Sequence, residues 1–187
     1  AASGSAFAAV EPVADDIATL RELLHRAAGR ALTPAERDDA TGRGELWSSR
    51  LVAAALVGAG IPAEWVDARG VVVTDDRFGR ATPLPDRIAE RAALELVPLA
   101  QAGRVPVTQG FIGATAAGVP TTLGRGGSDL TASLLGAALG ASRVEIWTDV
   151  DGLMTADPRL VPAARTLAQA SYEEAAELAT FGAKVLH

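Results

Sequence analysis

The run Thr121-Thr122-Leu123-Gly124-Arg125-Gly126-Gly127-Ser128-Asp129 carries the strongest chemical signal in this chain. An extended segment passes into glycines and then into a helix. Glycine lets the backbone approach a ligand closely. The first amides of a helix have no internal acceptor, and the helix dipole adds positive potential at that end. Arg125 can grip a carboxylate or phosphate through two parallel hydrogen bonds. The pattern therefore predicts an anion site. The same residues would also make a plain strand-to-helix connection in which Ser128 caps and Asp129 complements the dipole. A Walker loop is excluded, because no Gly-Lys-Ser/Thr follows, and the Gly-x-Gly-x-x-Gly spacing is missing.

A second stretch runs from Val144 to Arg159. An apolar segment, Val144–Thr148, is predicted to be a buried strand that opens into a polar loop. There Thr148 and Asp149 could bond a ribose or base, and Arg159 could neutralise phosphate. The aspartates of this loop fail the spacing of a calcium-binding EF-hand, so no metal site is predicted. A plain surface turn at Asp157-Pro158 accounts for the same residues. The closing residues, Phe181–His187, hold Lys184, the only lysine of the chain. A fourth element, Gly42–Arg50, places Glu45 at a predicted helix start, where it could complement the dipole or accept hydrogen bonds from an ammonium group. His25 and His187 lack company for a triad or a metal site.

These residues need a frame. Periodicity predicts a helix over 13–28, with residues 1–10 frayed. A second helix starts at Thr33-Pro34, with Glu36 completing a capping box. Gly42 and Gly44 are expected to break it, and a third helix runs from Glu45 to Val57. Ala63–Asp67, Gly70–Thr74, Val105–Gln109 and Val119–Leu123 read as extended. Pro85–Ala100, Ser128–Leu139 and Ser171–Thr180 read as helices, and Gly113 and Gly118 as parts of a bend. Alternating strands and helices predict an α/β fold, with a largely parallel sheet whose ligands sit beyond the carboxyl ends of strands.

Composition narrows the classes. The chain of 187 residues is 49% hydrophobic, enough for one domain with a sizeable core. Aromatics make up 4%, so small aliphatic side chains must fill that core. A net charge of -6 argues against a protein that holds nucleic acid or an anionic membrane non-specifically. Cysteine is absent, which removes disulfides, thiolate metal sites and cysteine nucleophiles. No apolar run has the length of a membrane span, and no signal peptide is visible, so a cytoplasmic location is expected.

Taken together, the Thr-Thr-Leu-Gly-Arg-Gly-Gly-Ser-Asp run, Glu145-Ile146-Trp147-Thr148-Asp149-Val150-Asp151-Gly152 and Phe181–His187 resemble the aspartokinases of the amino acid kinase superfamily. Val107–Gly113 and the Gly44-Glu45 pair fit in the same order, and the resemblance is dense from residue 42 onward. It implies an αβα sandwich around a mainly parallel sheet, incomplete here at both ends. It also implies transfer of the γ-phosphoryl group of ATP to the side-chain carboxylate of L-aspartate with Mg²⁺. That step leads towards lysine, threonine and methionine.

By position, the resemblance implies that Glu45 contacts the substrate amino group, and that Arg125, Gly126, Gly127 and Ser128 hold its carboxylate. Asp129 and Lys184 would be catalytic, Asp129 by organising the family's catalytic lysine, the main one of which lies in its opening phosphate loop. Thr148, Asp149, Met154 and Val185 would contact nucleotide, with Arg159 and Lys184 near the phosphates. The family opens with a Lys-Phe-Gly-Gly-Thr-Ser loop not found here, and continues into regulatory domains that often dimerise. A partial catalytic domain is therefore expected, inactive alone and homo-oligomeric in the full-length enzyme. Another amino acid kinase, acting on acetylglutamate, glutamate or uridylate, and a non-catalytic binding fragment are the alternatives.

Overall fold

The computed structural model describes residues 2–148, 152–157 and 159–180. They form two compact units, one up to Val144 and one from Glu145 onward.

The first unit opens with two helices, α1 (Ala2–Arg26) and α2 (Pro34–Gly58). α1 already runs through the residues expected to fray. The start of α2 is fixed as its sequence dictates. The Glu36 amide donates to Thr33 Oγ1, the Glu36 carboxylate accepts from the Thr33 amide, and Pro34 takes the first turn. Arg30 reaches back to Glu36 at 2.6 Å.

Neither Gly42 nor Gly44 breaks α2, contrary to expectation. Gly42 is there for packing. A Cβ at that position would stand 2.8 Å from Cγ2 of the buried Ile112. Glu45 consequently lies inside a long helix and not at the start of a third one.

α2 is oriented by a half-buried charge network. Arg43 pairs with Asp39 (2.9 Å) and with Asp16 of α1 (3.4 Å). Arg50 approaches Asp16 at 3.6 Å and stacks on the ring of Trp65, 3.6 Å from its centroid.

The strands are short: β1 (Ala63–Trp65), β2 (Val73–Thr74), β3 (Val105–Val107), β4 (Ile112–Thr115) and β5 (Pro120–Thr122). β1 pairs in parallel with β3, and β2 with β4, while β4 and β5 run antiparallel. The strand pairing is thus mainly parallel, as expected. Only part of the predicted Gly70–Thr74 strand forms, because Ala68–Gly70 winds into a 3₁₀ turn started by Asp67, whose carboxylate accepts from the Arg69 amide. β4 replaces the first part of the expected glycine-rich bend. Gly113 lies inside it because any side chain would strike the carbonyl of Val72.

The predicted helix 85–100 is two helices, α3 (Pro85–Glu95) and α4 (Val97–Gln101). Pro98 has no amide to continue the ladder. α5 (Gly127–Ala138) packs against α3. The core collects Leu46 from α2, Val72, Ile88 from α3, Ile112 and Leu123, with Leu134 and Leu135 of α5 against it. α2 packs against β1, β3 and β5, α3 against β2 and α4 against β3, as an α/β fold requires.

The segment Val144–Thr148 departs furthest from expectation. It forms no strand, Val144 is 44% exposed and Trp147 is 88% exposed. A β-rich run becomes a strand only on a pleated neighbour that takes its amides and covers its side chains, and 144–148 has no ladder partner among the described residues. In the second unit, Met154 bridges Thr166, and α6 (Tyr172–Thr180), within the predicted helix, starts at a capping box of Ser171 and Glu174.

Candidate active site

The glycine bend is built as its residues require. β5 delivers Leu123, whose amide donates to the Phe111 carbonyl at 2.9 Å. Gly124 follows at φ +76°, with the Gly79 carbonyl 3.0 Å from where a Cβ would stand. Gly126, at φ 76° and ψ 7°, is the left-handed residue from which α5 begins. The helix therefore starts one residue earlier than predicted, and Ser128 stands in its first turn without capping it.

The amides of Ser128 and Asp129 have no carbonyl four residues back within the helix, so that end is open to an anion. Arg125 is exposed beside it and makes no ion pair among the described residues. Asp129 is half-buried in the first turn, and its carbonyl accepts from Ser133 Oγ.

Two neighbours brace this turn. Gly110 packs directly on Ser128: a Cβ there would lie 2.8 Å from Ser128 Cα. The Phe111 amide donates to Thr131 Oγ1, which donates to the Gly127 carbonyl at 2.7 Å. Phe111 has φ +70°, and the Ile112 amide donates to the Gly110 carbonyl across it at 2.8 Å. That three-residue turn is rare and strained, a feature that collects at functional sites.

Gly110 also borders a depression of about 220 Å³ lined by Glu45, Ser48, Val52, Thr108 and Gln109. The structure thus brings Glu45 and the start of α5 to the two sides of Gly110. A carboxylate stands on one side, and the first turn of α5 on the other. Such an arrangement suits the two charged ends of an amino acid.

The floor of the depression is stiff. Gln109 is buried. Its Nε2 donates to Ser49 Oγ at 2.7 Å, and its Oε1 accepts from the Ala68 amide at 2.8 Å. Trp65 Nε1 donates to the same Ser49 oxygen at 2.9 Å. Thr108 Oγ1 in the wall is enclosed and has no protein partner among the described residues.

The second unit carries the residues predicted for nucleotide. Thr148 is exposed. Met154 is half-buried in a two-stranded clasp, where the Thr155 amide donates to the Arg165 carbonyl and the Leu167 amide to the Leu153 carbonyl. Arg159 grips Asp157 with Nε and Nη2, the shortest contact being 2.6 Å. These bonds and the carboxylate's charge raise the Arg159 pKa above its ordinary value. A phosphate would have to share this guanidinium with Asp157. Asp149, Lys184 and Val185 lie outside the described residues.

Sequence reading misses several residues that shape the first unit's site. Asp38, buried in α2, accepts from the amides of Gly79 and Thr122. Arg80 packs its Cγ against Gly124 and lines an open groove with Arg77. Phe111 carries no local mark of its left-handed backbone. Of these, only Gly79 gives a local signal, as a turn residue.

Comparison with known proteins shows the family. Residues 3–187 match the family described as "Amino acid kinase family". Over 178 residues the chain is 51% identical to "Lysine-sensitive aspartokinase 3" of Escherichia coli, covering 95% of this chain and 38% of that protein. It is 46% identical over 156 residues to "Aspartokinase" of Thermus thermophilus, covering 81% of this chain and 36% of the relative. Among solved structures, E. coli aspartokinase III in complex with aspartate and ADP (R-state) matches with a TM-score of 0.88 and 49% identity, over 95% of this chain and 39% of that one. Aspartate kinase from Clostridium acetobutylicum matches with a TM-score of 0.74 and 30% identity, over 94% and 36%. The chain therefore spans little more than a third of the length of these relatives.

Proposed function

This chain belongs to the amino acid kinase family, and we propose that the protein carrying it transfers the γ-phosphoryl group of ATP to the side-chain carboxylate of L-aspartate. The observation that carries the reading is the likeness to E. coli aspartokinase III, whose structure holds aspartate and ADP. The product is 4-phospho-L-aspartate, the start of a route towards lysine, threonine and methionine.

The chemistry asks for position and charge more than for covalent help. A carboxylate is ionised near neutral pH, so the nucleophile needs no general base. One of its oxygens attacks the γ-phosphorus, the bond from that phosphorus to the bridging oxygen of ADP breaks, and ADP leaves. Two anions must approach each other, so neutralising groups set the rate.

In this reading Glu45 accepts the substrate ammonium. Arg125 and the backbone of Gly126, Gly127 and Ser128 hold its α-carboxylate, which leaves the side chain directed at the nucleotide. Asp129 serves the catalytic lysine, and Thr148, Asp149, Met154 and Val185 seat the nucleotide. Arg159 and Lys184 meet its phosphates. Mg²⁺ would arrive on the triphosphate. An ion carried on phosphate and water would need few protein ligands. When bound it neutralises phosphate charge. We further propose a cytoplasmic homo-oligomer, as the sequence resemblance implies.

The test is acceptor competition. The full-length protein carrying this chain is incubated with ATP, Mg²⁺ and aspartate, glutamate, N-acetylglutamate or UMP, and acyl phosphate is trapped with hydroxylamine. Hydroxamate formed with aspartate alone is the expected result. Phosphorylated UMP, or hydroxamate only from a glutamate acceptor, would overturn the assignment.

A further inference from the structure

Among the described residues, Asp38 is the side chain that touches both supports of the glycine bend. It lies in the second turn of α2, 4% exposed. One carboxylate oxygen, Oδ2, accepts from the Thr122 amide at 2.8 Å and from the Gly79 amide at 2.8 Å. Thr122 is the last residue of β5, two before Gly124. Gly79 is the residue whose carbonyl lies against Gly124, 3.0 Å from a Cβ built there. The strand that feeds the bend and the turn that backs it are thus tied to one buried anion. Charge-assisted bonds of this kind are about twice as strong as neutral ones, and the Thr122 amide, in a buried bond, would otherwise be enclosed without this partner.

We infer that Asp38 is a positioning residue for the acceptor site, setting where Arg125 and the first amides of α5 stand through Thr122 and Gly79. The inference rests on reading Arg125–Ser128 as the holder of the amino-acid acceptor. Asp38 reaches no reacting atom itself. Its neighbour Asp39 has a different task, pairing with Arg43 at 2.9 Å in the network towards α1.

The experiment is steady-state kinetics on the full-length protein with Asp38→Asn, alongside thermal melting. Asparagine keeps the size and loses the charge that serves both amides. The expected result is a KM for the amino-acid acceptor raised roughly tenfold or more, with KM for ATP within about twofold. A purely structural role would lower the active fraction, and with it the apparent kcat, while leaving both KM values in place. That outcome, or an equal rise in both KM values, overturns the inference.

Should Asp38→Asn fail to fold, Gly79→Ala carries the test. Its backbone has φ +80°, and a Cβ there meets nothing closer than Asp38 Oδ1 at 4.0 Å. The substitution strains the turn without emptying or crowding the core. The same KM asymmetry, smaller in size, is expected, and unchanged KM values sink the proposal. If the unmodified protein phosphorylates a different acceptor, the functional reading fails, yet the KM comparison can be run with that acceptor. The two failures are therefore distinguishable.

Discussion

Gly110 and Ser128 touch through their backbones: a methyl group on Gly110 would come within 2.8 Å of Ser128 Cα, 3.0 Å of its Cβ and 3.3 Å of its Oγ. The contact locks the turn between β3 and β4 to the first turn of α5. Gly110→Ala should therefore push the helix start away from the Glu45 depression. The expected cost is about 1–3 kcal/mol of stability by overpacking. A displacement of this kind is expected to lower kcat/KM by roughly tenfold to a hundredfold. Urea denaturation and steady-state kinetics measure the two, and wild-type kcat/KM in the variant would show that the contact is not used.

Two glycines in the same helix should respond in opposite directions. A Cβ added at Gly44 would meet nothing within 4 Å, so Gly44→Ala should stabilise the protein by about 0.5–1 kcal/mol through helix propensity. Gly42→Ala gains the same propensity but drives its methyl to 2.8 Å from Ile112 Cγ2, on a stiff, buried, β-branched side chain. Overpacking of about 1–3 kcal/mol outweighs the gain, so net destabilisation is expected. Chemical denaturation of both variants decides it.

That pair also shows where sequence reading stops. A glycine inside a helical pattern reads as a break, because the sequence shows its entropy cost and hides the surface it must fit. Gly42 is explained only once Ile112, far away in sequence, is seen against it. The bend 121–129 is legible because its logic is local: extended residues, glycines, then a helix. The two capping boxes, Thr33–Glu36 and Ser171–Glu174, are legible for the same reason. The Asp38 clamp is not, since it joins partners 41 and 84 positions apart. Val144–Thr148 misleads because β-branched residues announce a tendency that only a neighbouring strand can fulfil.

Arg125→Ala should raise KM for aspartate by roughly tenfold or more, the worth of a charge-assisted pair, and change KM for ATP far less. Asp129→Ala should abolish turnover with the circular dichroism spectrum intact, because its side chain stands at an open helix start and its carbonyl still receives Ser133. Equal effects of Arg125→Ala on both KM values would move that guanidinium to the phosphates. Near-normal kcat in Asp129→Ala would remove this residue from the reaction.

Acid should loosen the start of α2. Hydrogen bonds from Arg30, then from the Thr33 backbone, hold the Glu36 carboxyl at a pKa of about 2, against an ordinary value of 4.5. A depressed folded-state pKa gives stability that is complete above the ordinary value and fades as pH falls from 4.5 towards 2. Thermal melts from about pH 5 to about pH 2 should fall less steeply for Glu36→Gln than for the unmodified chain. Parallel curves would deny Glu36 this contribution.

Ser49 has one hydroxyl proton and two lone pairs, and all three are spoken for: it donates to the Leu46 carbonyl at 3.0 Å and receives both Gln109 and Trp65. If the depression receives the acceptor as proposed, Ser48 and Val52 on its wall can be varied independently. Position 49 allows no such freedom. Any replacement there would have to be co-selected with new residues at 65 and 109, which makes the trio a single letter in the design alphabet of this pocket.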